Sequence, residues 1–282
     1  MTLKELEHHY INTLASLYGE DEAKQLFFLS AERVSGLSRS QLILQYDKET
    51  GDLEYGIFIN MLSQLNEGRP FQHITEEAWF YGLRFKVNAA VLIPRPETEE
   101  LVQWIIGTVS DSKNPLSGLL DIGAGSGCIA IAVKKNCPEV TVTALDISAE
   151  ALGVAAENAA YHHTQVNFIQ SDILGYEGLE KYDVIVSNPP YITLKERDEM
   201  HCNVLEHEPA IALFVTDENP LLFYKSIADF AARSLNPGGH LFFEINEYLG
   251  NETVEMLKSK GFVHIDLRKD MQGKDRMIRC SL

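Results

Sequence analysis

Asp121-Ile-Gly-Ala-Gly-Ser-Gly127 follows the short apolar run that begins at Leu119 and precedes Cys128-Ile-Ala-Ile-Ala-Val-Lys-Lys135, which has the composition of a buried helix. A strand, a tight glycine turn and a helix in that order form the opening of an open α/β sheet, with the helix N-terminus placed where the strand ends. Glycines at 123, 125 and 127 let the backbone pass close to a ligand there, and a nucleotide-like cofactor suits such a turn. A dinucleotide fingerprint would need its third glycine at position 128, where this chain has Cys, so the G-x-G-x-G spacing disfavours NAD.

Outward from this turn, apolar runs and helical stretches alternate. Strands are predicted at 119–122, 140–146, 166–170, 182–187, 240–245, 263–267 and 277–281, with helices at 128–135, 149–161 and 221–235, the last stopped by Asn236-Pro-Gly-Gly239. The alternation predicts a mostly parallel sheet covered by helices on both faces. A further helix starts at Pro96, with an acidic first turn of Glu97, Glu99 and Glu100.

Upstream the pattern is different. Leu3, Leu6, Tyr10, Leu14 and Leu17 recur at helical spacing, as do Tyr55, Ile57, Phe58, Met61, Leu62 and Leu65, and Gly68-Arg-Pro70 closes the region. Tyr81, Leu83, Phe85 and Val87 then alternate with polar or small residues, the period of a half-buried strand. The expected organisation is a helical domain over 1–70, a β-hairpin linker over 71–95 and the α/β domain over 96–282.

The 282 residues are 45% hydrophobic and 23% charged, which excludes disordered and fibrous classes. With 24 Lys and Arg against 41 Asp and Glu the formal charge is -17, a balance that argues against a surface gripping duplex phosphates. Cys128, Cys137, Cys202 and Cys280 form no C-x-x-C pair, so neither a disulfide framework nor a zinc ribbon is expected. The stretch from His201 to His207 contains metal-ligand types, but its spacing matches no strong site and no metal is expected. His162 and His163 stand at a predicted helix end, near exposed carbonyls. The charged N-terminus and the absence of an apolar run of about 18 residues predict a cytoplasmic protein.

Two carboxylates and one turn complete the candidate site. Asp146 ends the second predicted strand 23 residues after Gly123, near the roughly 20-residue offset at which an acid meets a ribose diol. Asp172 ends the third, at the same edge of the sheet, within reach of an adenine amine. The fourth runs into Asn188-Pro-Pro-Tyr191, the most specific signal in the chain. Two prolines remove two backbone donors and stiffen the turn, leaving an amide side chain, free carbonyls and an aromatic ring. A planar NH2 group fits: the Asn188 side-chain oxygen and a proline carbonyl accept its hydrogens while Tyr191 packs on its face.

Together, the glycine turn and Asn188–Tyr191 resemble the class I methyltransferases that use S-adenosylmethionine and methylate planar or amide nitrogens. Leu92-Ile-Pro-Arg-Pro-Glu-Thr-Glu99, Ser187-Asn-Pro-Pro-Tyr-Ile192, Glu208-Pro-Ala-Ile-Ala-Leu213, Pro237-Gly-Gly239 and Asp270-Met-Gln-Gly-Lys-Asp-Arg276 are similar to the peptide chain release factor N(5)-glutamine methyltransferases, the PrmC/HemK family. The resemblance covers about residue 70 to the end. It implies a seven-stranded Rossmann-like domain behind a small helical domain that docks substrate. It also implies transfer of a methyl group from S-adenosylmethionine to the glutamine side-chain nitrogen of a release factor Gly-Gly-Gln motif, leaving S-adenosylhomocysteine.

Carried onto this chain, the resemblance assigns Gly123, Ala124, Gly125, Ser126 and Gly127 to the methionine end of the cofactor, Asp146 to its ribose and Asp172 with Ile173 to its adenine, with Asn188 bordering the cofactor. Asn188, Pro189, Pro190 and Tyr191 would hold the glutamine, with Asn188, Pro189 and Tyr191 catalytic, and Arg95 and Glu97 would orient the substrate loop. The expected partners are release factors, with no nucleic acid and no membrane, and the expected state is a monomer. A glutamine methyltransferase of ribosomal proteins and a DNA amino methyltransferase are the alternatives.

Overall fold

The computed structural model describes residues 1–112, 116–199 and 202–282, leaving out the side chains of 198, 199 and 202. The described chain forms two compact units, one of Met1–Thr75 with the helix Cys202–His207, the other running from Glu76 through the rest.

In the first unit α1 (Leu3–Tyr18), α2 (Glu20–Ser35), α3 (Arg39–Ile43), α4 (Asp52–Asn66) and α5 (Phe71–Thr75) follow one another. A reciprocal cap starts α1: Glu5 N–H donates to Thr2 Oγ1 at 3.2 Å and Thr2 N–H to Glu5 Oε2 at 2.8 Å. Tyr10, Phe27 and Phe58 meet in the core, and the Tyr10 hydroxyl donates to the Phe58 carbonyl at 2.7 Å. The apolar face of α4 is narrower than its composition predicts. Phe58, Met61, Leu62 and Leu65 are buried, whereas Tyr55, in the first turn, and Ile57 sit at the edges of that face and are 38% and 43% exposed. Leu44 and Leu53 are 85% and 81% exposed.

The second unit opens with a hairpin, β1 (Glu77–Phe80) and β2 (Leu83–Lys86), followed by α6 (Pro96–Asp111). Tyr81, expected in a strand, instead sits with Gly82 in the two-residue turn, at φ of +51° and +70°, which is the twist a tight antiparallel hairpin requires. The Tyr81 N–H donates to Glu99 Oε1 at 2.8 Å. Then come β3 (Gly118–Ile122), α7 (Cys128–Asn136), β4 (Thr141–Asp146), α8 (Ala149–Tyr161), β5 (Val166–Gln170), β6 (Tyr182–Ser187), β7 (Ile192–Thr193) and a 3-10 turn (Leu194–Glu199). The chain continues through α9 (Cys202–His207), α10 (Ala210–Leu213), β8 (Phe214–Val215), α11 (Leu222–Ser234), β9 (Leu235–Glu244), α12 (Gly250–Ser259), β10 (Val263–Lys269) and β11 (Asp275–Ser281).

Among the described residues, seven strands form the central sheet in the order β10-β11-β9-β6-β3-β4-β5. β9, β6, β3, β4 and β5 are parallel, and β11 inserts antiparallel beside β9. The central strands are apolar on both sides because both are covered. Leu119, Val142, Val184 and Phe242 pack under α6 and α7, and Leu120, Leu145, Ile185 and Phe243 pack under α11 and α12.

The Asn236–Gly239 stretch does more than stop a helix. Strand β9 begins at Leu235, opposite Tyr182, and resumes opposite Val184 at His240, so the intervening residues bulge out of the ladder. Asp183 anchors the bulge by accepting from Asn236 Nδ2 at 2.8 Å, and a Cβ at Gly239 would lie 2.9 Å from the Asp183 carbonyl oxygen. The order of strands reverses between β3 and β6, where Ile122 is paired in register with Ser187. The glycine turn and the Asn-Pro-Pro turn therefore leave the sheet side by side, at the edge where open α/β sheets bind ligands.

Candidate active site

A cavity of about 310 Å³ lies at that edge. Gly123 and Gly125 line it from β3, Asp146 from β4, Asp172 and Ile173 from beyond β5, and Asn188, Pro189 and Pro190 from beyond β6. Its opposite wall is apolar and includes Leu92, Pro209, Ile211 and Phe223.

The turn is built by its backbone. Gly123, Gly125 and Gly127 all have positive φ. Gly127, at +78°, is also tightly packed: a Cβ there would lie 3.1 Å from the Ala155 Cβ and 3.2 Å from Ile131 Cδ1. Gly125 behaves differently. Its N–H donates to Asp146 Oδ2 at 2.8 Å, while Asp146 Oδ1 accepts from Ser148 N–H at 2.9 Å, so one carboxylate ties the turn to the end of β4. Ser148 in turn caps α8, accepting from Ala151 N–H at 3.1 Å. A Cβ at Gly123 or Gly125 would meet no protein atom within 4 Å, and both positions line the cavity. Side chains there would fill the space a ligand needs. Ala124, Ser126 and Gly127 shape the turn without lining the cavity, and Ala124 and Ser126 are buried.

Beneath the turn lies Asp121, fully buried. Its Oδ2 accepts from Ala130 N–H at 3.1 Å, while Oδ1 has no partner among the described residues. Burial, with Asp146 nearby, pushes its carboxyl up to about 7 despite the Ala130 bond. The folded chain then binds a proton between about pH 4 and 7 that the unfolded chain releases, so this group's contribution to stability is present at low pH and is lost as pH rises through about 7. Asp121→Asn is expected to remove that contribution. Urea melts at several pH values should show the variant gaining on the unsubstituted chain from pH 5 to pH 8, by on the order of a few kcal/mol. Parallel curves would refute the assignment.

On the other side, the Asn188–Tyr191 turn is clamped by Glu244, at the end of β9 and 1% exposed. The Tyr191 hydroxyl donates to Glu244 Oε1 at 3.2 Å and the Thr98 hydroxyl to Oε2 at 2.6 Å. Asn188 Nδ2 donates to Thr98 Oγ1 at 3.3 Å. Burial raises the Glu244 carboxyl, against the pull of Thr98, Arg276 and Tyr191. Burial also raises the Tyr191 phenol, reinforced by Glu244. Asn246 Nδ2 donates to the Tyr191 carbonyl at 3.1 Å.

Arg95 and Glu97 fall elsewhere. Arg95 pairs with Glu208 Oε1 at 2.6 Å, Ile93 N–H donates to Glu208 Oε2 at 3.2 Å, and the Glu208 side chain is 1% exposed. Glu208, buried beneath a half-exposed Arg95, immediately precedes Pro209, a cavity wall residue, and Arg95 itself does not line the cavity. Glu97 accepts from Gln272 Nε2 at 3.0 Å, also away from the cavity. Asp172 Oδ1 accepts from Leu174 N–H at 2.9 Å in a local turn. The ring of His162 contacts the Arg84 carbonyl at 2.7 Å through Nε2, and His207 Nε2 contacts the Glu67 carbonyl at 3.3 Å. His201 lies outside the described residues. Thr98 and Glu244 were not singled out in the sequence. The available signal was an acid closing the apolar run Leu241-Phe-Phe243.

Tyr191, expected against the substrate, does not line the cavity: it packs on the core with its hydroxyl on Glu244. A seven-stranded sheet with this strand order, a glycine turn bridged to an acid on the next strand and an Asn-Pro-Pro turn on the same cavity define a class I methyltransferase. Residues 106–211 match the Methyltransferase small domain, and residues 5–75 match the PrmC N-terminal domain. The chain belongs to the release factor glutamine methyltransferase family. It is 45% identical to the release factor glutamine methyltransferase of Flavobacterium psychrophilum, over 100% of this chain and 99% of that one. It is 40% identical to that of Bacteroides thetaiotaomicron, over 95% and 96%. A methyltransferase structure from Pyrococcus furiosus shares the fold at 19% identity, with a TM-score of 0.52 over 78% of this chain and 97% of that one.

Proposed function

We propose that this chain transfers a methyl group from S-adenosylmethionine to the side-chain amide nitrogen of the glutamine in the Gly-Gly-Gln motif of peptide chain release factors. The observation that carries the reading is the convergence of the glycine turn and the Asn188–Pro190 turn on one cavity, in a chain whose full-length relatives bear that name.

The cavity suits the cofactor. The open faces of Gly123 and Gly125 would take its methionine end, Asp146 its ribose hydroxyls, and Asp172 with Ile173 its adenine. When bound, S-adenosylmethionine supplies a methyl group activated on a positively charged sulfur. The chain's own task is to make an amide nitrogen nucleophilic. The nitrogen lone pair is delocalised into the carbonyl, so the Asn188 side-chain oxygen and a proline carbonyl would accept the two N–H groups and hold the nitrogen with its lone pair toward the methyl group. Both acceptors bind more strongly as positive charge builds on nitrogen, which stabilises the transition state more than the ground state. After the S–C bond breaks and the N–C bond forms, the nitrogen releases one of its two protons to solvent. Fixing the approach in line supplies the entropic share. Tyr191, fastened to Glu244, would hold the turn in shape from behind the cavity.

Docking of the release factor is assigned to the helical unit of Met1–Thr75, with the exposed Leu44 and Leu53 as contacts. Leu44→Ser with Leu53→Ser is expected to raise KM for an intact release factor several-fold and to leave methylation of a short Gly-Gly-Gln peptide unchanged. An unchanged KM for the intact factor would remove those residues from the interface. Release factors work on cytoplasmic ribosomes, and the same compartment is proposed here. Among the described residues no helix is long and apolar enough to cross a membrane.

Methyl-labelled S-adenosylmethionine, offered with a release factor, ribosomal proteins or duplex DNA, tests the reading. Label is expected in the release factor. Label in ribosomal protein or in DNA instead would replace the substrate.

A further inference from the structure

We propose that Thr98 and Glu244 are positioning residues that fix which way the Asn188 amide faces. The inference rests on Asn188 being the acceptor for the glutamine NH2, and it follows from counting protons along one hydrogen-bonded chain.

A primary amide can occupy its site in two orientations of nearly identical shape, differing by exchange of oxygen and nitrogen. Only the orientation with Oδ1 toward the cavity can accept from a substrate N–H; the reverse would present donors to a group that has only hydrogens to offer. Thr98 removes the degeneracy. Its one hydroxyl hydrogen is given to Glu244 Oε2 at 2.6 Å, so its oxygen has only lone pairs to offer Asn188. Asn188 must then present Nδ2, and does so at 3.3 Å, which turns Oδ1 the other way.

Glu244 sets the direction of the chain in its ionised form, which only accepts; the hydroxyls of Thr98 and Tyr191, together with Arg276, hold that form against the burial that raises the group. Its other oxygen accepts from Tyr191, so the same carboxylate fastens both ends of Asn188-Pro-Pro-Tyr191. Position supports the role. Glu244 follows Phe243, which is paired with Ser187 of β6, and Ser187 immediately precedes Asn188. Rigid strands thus carry both the amide and the group that orients it. Thr98 is buried in the first turn of α6. It is the residue of the Pro94-Arg-Pro-Glu-Thr-Glu99 stretch that bonds Asn188, whereas Arg95 bonds Glu208 and Glu97 accepts from Gln272.

Thr98→Val keeps the shape and removes the hydroxyl, and Thr98→Ser keeps the hydroxyl. The side-chain NH2 resonances of Asn188, assigned by their loss in Asn188→Ala, report the hydrogen bond in the intact chain without substrate or cofactor. In Thr98→Val they are expected to move toward the positions of free amides. The same variant should lose about tenfold in kcat for the release factor with KM and cofactor affinity unchanged, the scale of one oriented hydrogen bond. Thr98→Ser should recover both readouts.

Unmoved Asn188 resonances in Thr98→Val would overturn the proposal, as would a Thr98→Ser variant as impaired as Thr98→Val, since packing rather than the hydroxyl would then matter. If the unsubstituted chain methylates no glutamine, the substrate reading falls instead. The resonance comparison still decides whether Thr98 holds the amide.

Discussion

Asn188→Ala is expected to lower kcat for glutamine methylation by about 10²–10³-fold while changing cofactor affinity by no more than a few-fold. The asymmetry follows from where the side chain sits. Asn188 borders the cavity at the end of β6, whereas the glycine turn and Asp146, which would carry most of the cofactor contacts, come from β3 and β4. Removing the amide deletes an acceptor whose bond strengthens as the reacting nitrogen becomes positive, so the loss falls on the transition state and appears in kcat. Single-turnover rates and calorimetric binding of S-adenosylhomocysteine measure the two quantities separately. A comparable loss in both would make Asn188 a wall of the cofactor pocket.

Asp146→Ala is expected to give the opposite pattern, weakening cofactor binding about 10²-fold with a much smaller change in kcat at saturation. Its two oxygens hold Gly125 N–H and Ser148 N–H at 2.8 and 2.9 Å, and each oxygen keeps a second lone-pair direction. A ribose diol would bind a carboxylate already held in place by the backbone. The alanine variant loses the ligand contacts and also frees the Gly125 turn, so both parts of the loss fall on affinity. Asp146→Asn should be milder, because an amide oxygen still accepts one of the two N–H groups. Unchanged affinity in Asp146→Ala would move the ribose site elsewhere on the sheet edge.

Much of this arrangement was legible in the sequence because the central strands read as apolar runs and the intervening helices keep their own period; β5, at the sheet edge with no buried residue, is marked by its β-branched and aromatic residues instead. The strands 166–170 and 182–187 and the helix 149–161 agree with the structure residue for residue. Contacts made between distant elements were less legible. Asn236–Gly239 reads as a stop, and its role as a bulge depends on Asp183 in the neighbouring strand. Tyr81 keeps the alternating pattern of a strand while the backbone turns there.

At the site, the residues readable from local chemistry, Gly123, Gly125, Asp146, Asp172 and Asn188, share one cavity. The Thr98–Glu244 bond spans 146 positions and rests on two residue types common in any helix or strand. Nothing local marks either one. Arg95 drew attention by its charge between two prolines, yet its partner is Glu208, 113 positions away. A charged side chain in a rigid turn looks the same whether it meets a substrate or a buried carboxylate.

Tandem mass spectrometry of the Gly-Gly-Gln peptide tests the account most directly. It would be applied to a release factor purified unmethylated and incubated with S-adenosylmethionine and either the unsubstituted chain or Asn188→Ala. One methyl group on the glutamine side chain, present with the first and nearly absent with the second, is the predicted result. A methyl group on another residue of the release factor, or an unmodified glutamine under conditions in which the chain binds the cofactor, would contradict it.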